Sequence, residues 1–338
     1  MPKKQTKHFT TISDVAKHAK VGKTSVSRYL NGEQDKLSKE LREKISKAIE
    51  QLDFRPNHSA RMLRAGHSKL IGLMFADVTN PYSIDVLKGI EQVCRKEGYM
   101  LMVCNTDNEK SLQDNYLSIL EAHRVDGIIM NVAGMAAKQI ENLSKLTSPV
   151  VLVDRIHPSL AFDSVGLDNK AAVFAACEHL QSKAYEAILV VTESLVIEPR
   201  RARIEAIHSF AEQHPHIDFE TVEVENMSSQ ANSKIIEDFM GRHPNRKKAI
   251  FTTNGVTTMM VAKVLKSLNI KVGSEIGLIG IDDPEWAQLF EGGITVIRQP
   301  TQDIGQTACN RLLSRILGNA EAPQQIQLPA ELVVRDST

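Results

Sequence analysis

Residues 11 to 31 read TISDVAKHAKVGKTSVSRYLN, and their order predicts two short helices joined by a tight turn. Thr11 can accept from the Asp14 amide while Asp14 bonds back. This capping box starts a helix with Ile12, Val15, Ala16 and Ala19 on one face. Val21-Gly22 makes the turn. Gly22 is an N-cap with no side chain to offer, and Val26 and Leu30 supply the inward face of a second helix. The outward face carries Lys23, Thr24, Ser27 and Arg28. Such a helix fits the major groove of DNA, its first residues at base edges and its hydroxyls and cations within reach of phosphates. Taken singly, the pattern is shared with ordinary surface αα-hairpins.

Charge distribution favours the DNA reading. The chain of 338 residues has 41 Lys and Arg against 41 Asp and Glu, but the two signs are segregated. Residues 1 to 69 hold 16 basic and 7 acidic side chains, a net of about +9, and the remainder holds 25 and 34, about −9. A basic arm on an acidic body suits phosphate neutralisation and predicts binding that weakens steeply with salt. A solvated lysine-rich tail accounts for Lys3, Lys4 and Lys7 but not for the rest.

A third helix begins with Ser38 as N-cap and sets Leu41, Ile45, Ala48, Ile49 and Leu52 at helical spacing, enough to close a small core over the first two. In RPNHSARMLRAGHSK, residues 55 to 69, Pro56 stops the preceding structure, Asn57 caps and Gly66 marks an end. The one or two turns between them are marginal alone. They read as a hinge that orders when DNA supplies contacts for Arg61 and Arg64. Leu63 is either a wedge between base pairs or a packing contact to the body.

The segments T-I-S-D-V-A, V-G-K-T-S-V-S-R-Y-L-N and F-R-P-N-H-S-A-R-M-L resemble the headpiece of the LacI/GalR family of bacterial repressors, and the resemblance covers essentially the whole chain. It implies that Lys23, Thr24 and Arg28 read bases, that Ser25, Ser27 and Asn31 lie near phosphates, and that Leu63 opens the central base step of an operator. Thr11, Asn57, Arg61 and Arg64 complete the implied DNA-binding set. Gly22 stands where the family usually has serine.

From residue 70, short apolar runs alternate with amphipathic stretches. Strands are expected at 70–76, 100–104, 127–131, 150–154, 188–192, 249–253, 277–282 and 332–334, with helices at 82–96, 108–123, 170–181, 200–212, 228–240 and 256–267. Alternation of this kind argues for parallel sheets with helices on both faces, and about 270 residues is too many for one such sheet. The break falls near 156–162. The expected fold is an N-terminal all-α helix-turn-helix headpiece plus an α/β body of two doubly wound parallel-sheet subdomains. The resemblance makes that body periplasmic-binding-protein-like, with three chain crossings. The expected divisions are 1–54, a hinge at 55–68, and 69–338, the last split into an N-subdomain (69–158, 295–320) and a C-subdomain (159–294, 321–338).

Ligands of open α/β sheets bind beyond the carboxyl ends of the strands, where this chain has Asn131, Asp154, Asn254 and Asp282. Each suits loop capping as well, but four at equivalent strand ends fit the hydroxyls of a polyol. The resemblance adds Arg203 as the effector clamp, in R-I-E-A-I where the family has R-x-x-G-F, so that Ala206 replaces the glycine. It also adds Tyr82 in V-T-N-P-Y and Gln299 in V-I-R-Q-P. Gly255 replaces the family's aspartate after Asn254, removing one acceptor. Met227 and Trp286 lie near places where the family has ring-stacking residues. Arg200, Arg201 and Arg203 concentrate positive charge able to pair with a carboxylate. The V-G-K-T-S-V-S-R-Y-L-N-G segment is similar to regulators of ketodeoxygluconate and gluconate use. The expected effector is a sugar or sugar acid.

Cys94, Cys104, Cys177 and Cys309 are scattered without C-x-x-C spacing and read as free thiols of a reduced compartment. His214-Pro215-His216 reads as a turn, and neither a metal nor a cofactor is expected. No signal peptide and no apolar run near 18 residues is seen, so the chain is expected to be cytoplasmic, with no membrane partner. Without a leucine heptad tail it is expected to form a homodimer on pseudo-palindromic double-stranded DNA. The rival reading, a sugar-modifying enzyme on the same body, needs a poised nucleophile or a phosphate loop. The sequence offers no catalytic residue of either kind.

Overall fold

The computed structural model describes residues 10–54, 67–131, 143, 145–154, 162–224, 229–290 and 292–338. Two compact units divide at Ser68 and Lys69. In the first, α1 (Ile12–Ala19), α2 (Lys23–Leu30) and α3 (Lys39–Gln51) surround Val15, Val26, Ile45 and Phe54. The Thr11 capping box forms, Gly22 caps α2 through its backbone alone, and the Ser38 hydroxyl accepts from the Leu41 amide. Lys20 ends α1 in the left-handed region (φ 54°), which turns the chain sharply into α2.

The second unit contains twelve strands among the described residues. They are β1 (Leu70–Phe75), β2 (Met100–Asn105), β3 (Gly127–Asn131), β4 (Val150–Val153), β5 (Asp163–Leu167), β6 (Ala187–Thr192), β7 (Asp218–Glu223), β8 (Lys248–Thr252), β9 (Gly277–Ile281), β10 (Thr295–Arg298), β11 (Gln325–Leu328) and β12 (Glu331–Val333). The helices are α4 (Pro81–Glu97), α5 (Lys110–Ala122), α6 (Asn169–Ser182), α7 (Glu198–Gln213), α8 (Ser229–Arg242), α9 (Gly255–Ser267), α10 (Glu285–Leu289) and α11 (Thr301–Ile316). Two sheets result, ordered β11-β5-β4-β3-β1-β2 and β12-β10-β9-β8-β6-β7. Their central strands are buried on both faces, which is why they read as continuous apolar runs. Among the described residues, no helix is long and apolar enough to cross a membrane.

The chain crosses between sheets three times: after β5, between β10 and α11, and between β11 and β12. This corrects the expected subdomain division. β5 and β11, assigned to the C-subdomain by 159–294 and 321–338, pair with each other in the first sheet, and β10, assigned to the N-subdomain, pairs with β9 in the second. The reason is local. D-S-V-G-L and Q-I-Q-L carry too few adjacent apolar residues to register as strands, so the sequence pattern places the first crossing at 156–162, one strand too early. Helix α11, which the pattern passes over, packs on α4 and on β3, β4 and β5.

Two features anchor α11. Asp163, 2% exposed, accepts from Arg311 Nε (2.8 Å), Arg315 Nε (2.6 Å) and the Gln324 amide (2.8 Å), tying β5 to α11 and to the segment before β11. On the opposite flank, α4 and α11 run parallel with their backbones in contact at Gly89 and Gly305. A side chain at Gly305 would overlap the Val86 carbonyl, and one at Gly89 the Gln302 carbonyl. Gly305→Ala is therefore expected to destabilise the body by about 1–3 kcal/mol as the helices are forced apart, read by urea unfolding. An unchanged midpoint would mean that the helix pair has slack.

Candidate functional site

In the headpiece, Lys23, Thr24, Arg28 and Asn31 are exposed along one side of α2, opposite buried Val26. Ser25 and Ser27 are half-buried, and the Asn31 amide donates to Ser27 Oγ (3.5 Å). Thr11 sits at the start of α1, committed to its capping box. The expected hinge contacts Asn57, Arg61, Leu63 and Arg64 lie outside the described residues.

In the body, the four strand-end residues are placed as expected. Asn131 closes β3 and is buried. Asp154 follows β4 in the left-handed region (φ 63°), its amide donating to the Val165 carbonyl (2.8 Å). Asn254 follows β8 as the N-cap of α9, its Oδ1 accepting from the Thr257 amide (2.8 Å). Asp282 follows β9 in the left-handed region and accepts from the Gly255 amide at Oδ2 (2.9 Å) and from Gln299 Nε2 at Oδ1 (2.6 Å). Gly255 thus works with the neighbouring strand end: a side chain there would stand 3.4 Å from the Asp282 carboxylate, so an aspartate would oppose like charge.

Arg203 is 4% exposed, which is rare for a guanidinium without fixed partners. Its Nε donates to Asn169 Oδ1 (2.7 Å) and its Nη1 to the Thr253 carbonyl (2.6 Å). An unbroken path therefore runs from Arg203 through Thr253, Asn254 and Gly255 to Asp282 and Gln299, that is, from the second lobe to the crossover into α11. Tyr82, Asp282 and Gln299 line one cavity of about 360 Å³ together with Trp286 and Asp283. None of Asn131, Asp154, Arg203 or Asn254 lines it. Among the described residues, neither Gln299 Oε1 nor Asp283 Oδ1, both buried, has a hydrogen-bond partner. Burial opposes ionisation of Asp283, but hydrogen bonds from Arg335 and Arg298 outweigh it and hold the carboxyl below the ordinary aspartate range.

The basic cluster on α7 is a correction. Arg200 donates to Glu193 (2.6 Å), and Arg201 faces Glu205 across an exposed pair (3.7 Å). Of the three arginines only Arg203 is buried in the strand-end network, because the helical period carries Arg201 to the opposite face. Glu193 was legible but passed over: it is the first residue after β6, and it also accepts from Asn254 Nδ2 (2.7 Å), fixing that amide. Asp283 and Asn169 gave no signal beyond their neighbours. Met227 lies outside the described residues. Asp218, Glu220 and His243 bring possible metal-ligand atoms within 4.8 Å of one another, but Arg242 already donates to Glu220 and Arg246 lies 3.7 Å from Asp218. These carboxylates are neutralised within the protein.

Comparison with known proteins agrees with this architecture. Residues 11–57 match the family model of bacterial regulatory proteins, lacI family, and residues 68–336 match that of periplasmic binding proteins and sugar binding domain of LacI family. The chain is 38% identical over 329 residues to the HTH-type transcriptional regulator PtxS of Pseudomonas aeruginosa, covering 97% of this chain and 95% of that one. It is also 38% identical over 337 residues to the HTH-type transcriptional regulator KdgR of Bacillus subtilis, covering 99% of both. Among solved structures, a lac repressor dimer bound to operator and an anti-inducer superposes with a TM-score of 0.84 at 23% identity, over 98% of this chain and 99% of that one. A helix-turn-helix followed by two doubly wound lobes, with full-length relatives that are transcriptional regulators, shows that the chain belongs to the lacI family of bacterial regulatory proteins and is a DNA-binding transcriptional regulator, not an enzyme.

Proposed function

We propose that this regulator is a homodimeric repressor of carbohydrate catabolic genes, released from or fastened to a pseudo-palindromic operator by a sugar or sugar-acid effector in the interlobe cleft. The observation that carries the reading is the hydrogen-bonded path from Arg203 to Gln299. A ligand seated against it favours one arrangement of the crossover over another, and such a difference in affinity between two states is what control requires. In this reading Tyr82, Asn131, Asp154, Arg203, Asn254, Asp282 and Gln299 surround the effector. Lys23, Thr24 and Arg28 read bases, and Ser25, Ser27 and Asn31 meet phosphates. A carboxylate-bearing sugar fits Arg203, whose Nη2 makes no hydrogen bond among the described residues. The domain divisions at 1–54, 55–68 and 69–338 belong to the same proposal.

A thermal-shift screen of aldoses, aldonates and ketoaldonates tests it. A ligand at a hundred times its Kd stabilises the folded body by about 2.7 kcal/mol, a clear rise in melting temperature. Arg203→Ala is expected to remove that rise while leaving operator binding, at the cost of a lower baseline as Asn169 and the Thr253 carbonyl lose their donor. A shift that survives in the variant removes Arg203 from the site.

A further inference from the structure

The parallel pairing of α4 with α11 places two thiols face to face. Ile90 meets Gly305 where the helix backbones touch, and one turn further along both helices stand Cys94 and Cys309. With no side chain at residue 305 to hold the helices apart, the two sulfurs lie 3.5 Å from each other, 2% and 0% exposed. A disulfide requires about 2.05 Å, so closure asks for small rotations of both side chains and no rearrangement of the helices. Cys104 and Cys177 are also buried, but among the described residues neither has a sulfur partner.

We infer that Cys94 and Cys309 are an oxidisable dithiol, which a small hydroperoxide converts into an intramolecular disulfide that staples α4 to α11. Cys94 is the attacking sulfur. The hydrogen bond from Cys309 favours its thiolate and holds its pKa below the ordinary thiol range, while that same bond and burial push Cys309 up. The Cys94 thiolate takes the terminal oxygen of hydrogen peroxide to give a sulfenic acid and one water. The Cys309 sulfur then displaces the sulfenic hydroxyl, its proton leaving with that hydroxyl as a second water. Two thiols and one peroxide thus yield one disulfide and two waters. Burial sets the rate, since the oxidant reaches the pair only when the helices open locally. The staple matters because the first turn of α4 and the crossover into α11 both line the 360 Å³ cavity, through Tyr82 and Gln299. Oxidation therefore fixes one wall of that cavity and opposes sliding of the crossover against α4.

The test uses the intact, reduced protein, treated with excess hydrogen peroxide under native conditions and digested with trypsin without reductant. The expected product links residues 89–95 to residues 299–311, two hydrogens lighter than the separate peptides and released by dithiothreitol. Its appearance should accompany a rise of several degrees in the melting temperature of the body, absent in Cys309→Ser and in Cys94→Ser. If peroxide oxidises Cys104 or Cys177 while 94 and 309 remain unlinked, or if the linked protein melts where the reduced one does, the inference fails. Wild-type protein alone decides the linkage, so a variant that folds poorly does not obscure it.

Discussion

Val26→Asp is expected to abolish operator binding, by more than about a hundredfold, while leaving the unfolding transition of the body where it was. Val26 is fully buried at the centre of the headpiece core, against Val15 and Ile45. A carboxylate there would sit among apolar side chains and must be desolvated, protonated or expelled, each at a cost of several kcal/mol. A unit of under 70 residues has little stability to lose, because it buries a smaller share of its surface than a larger domain does. The body keeps its own cores in both sheets, so the damage stays in one unit. Calorimetry combined with fluorescence anisotropy on an operator fragment selected from random duplexes separates the two effects. Retained affinity, or a shifted body transition, would contradict the independence of the two units.

Asp163→Ala should produce the largest loss in the body, about 3–5 kcal/mol, since it removes the one buried carboxylate shared by two nearly buried guanidinium groups and leaves them only the exposed Glu321 carboxylate and backbone carbonyls. Arg311 and Arg315 are 11% and 14% exposed and both point at this one carboxylate, which also caps the Gln324 amide. Burial works against the charge on Asp163. The hydrogen bonds from Arg315, the Gln324 amide and Arg311 prevail, and the carboxyl lies below its ordinary range. The sign of the pH dependence follows. A folded pKa below the unfolded value of about 3.9 contributes stability that is fully present above that value and is lost as the pH falls through the folded pKa. Wild-type protein should therefore lose stability steeply below about pH 4. The variant, already without this carboxylate, should show a shallower slope there. Equal slopes by urea unfolding between pH 3 and pH 6 would show that Asp163 is not the linked group.

The sequence makes some levels of this protein plain and hides others for identifiable reasons. The side-chain caps of the first and third headpiece helices accept from the amide three residues on, an interaction local enough to read without a fold. The central strands are legible because burial on both faces demands unbroken apolar runs. β5 and β11 are not: β11 is a polar edge strand whose partner lies about 160 residues away, and β5, although buried between β11 and β4, interrupts its apolar residues with Asp163, Ser164 and Gly166. The strand-end residues are found by rule, but their couplings are not. Nothing near Gly255 announces that its amide is held by Asp282, and the spacing of Arg200, Arg201 and Arg203 does not say which one turns inward.

The last two strands have a consequence for how the chain is made. β11 completes the first sheet and β12, a few residues later, completes the second. On the ribosome, neither sheet is complete until residues 325–333 emerge, whereas the described core of the headpiece, Val15 to Phe54, is already out after the first 54. Vectorial synthesis thus delivers a folded helix-turn-helix module long before the body that follows it, and both lobes then close almost together, as one late event.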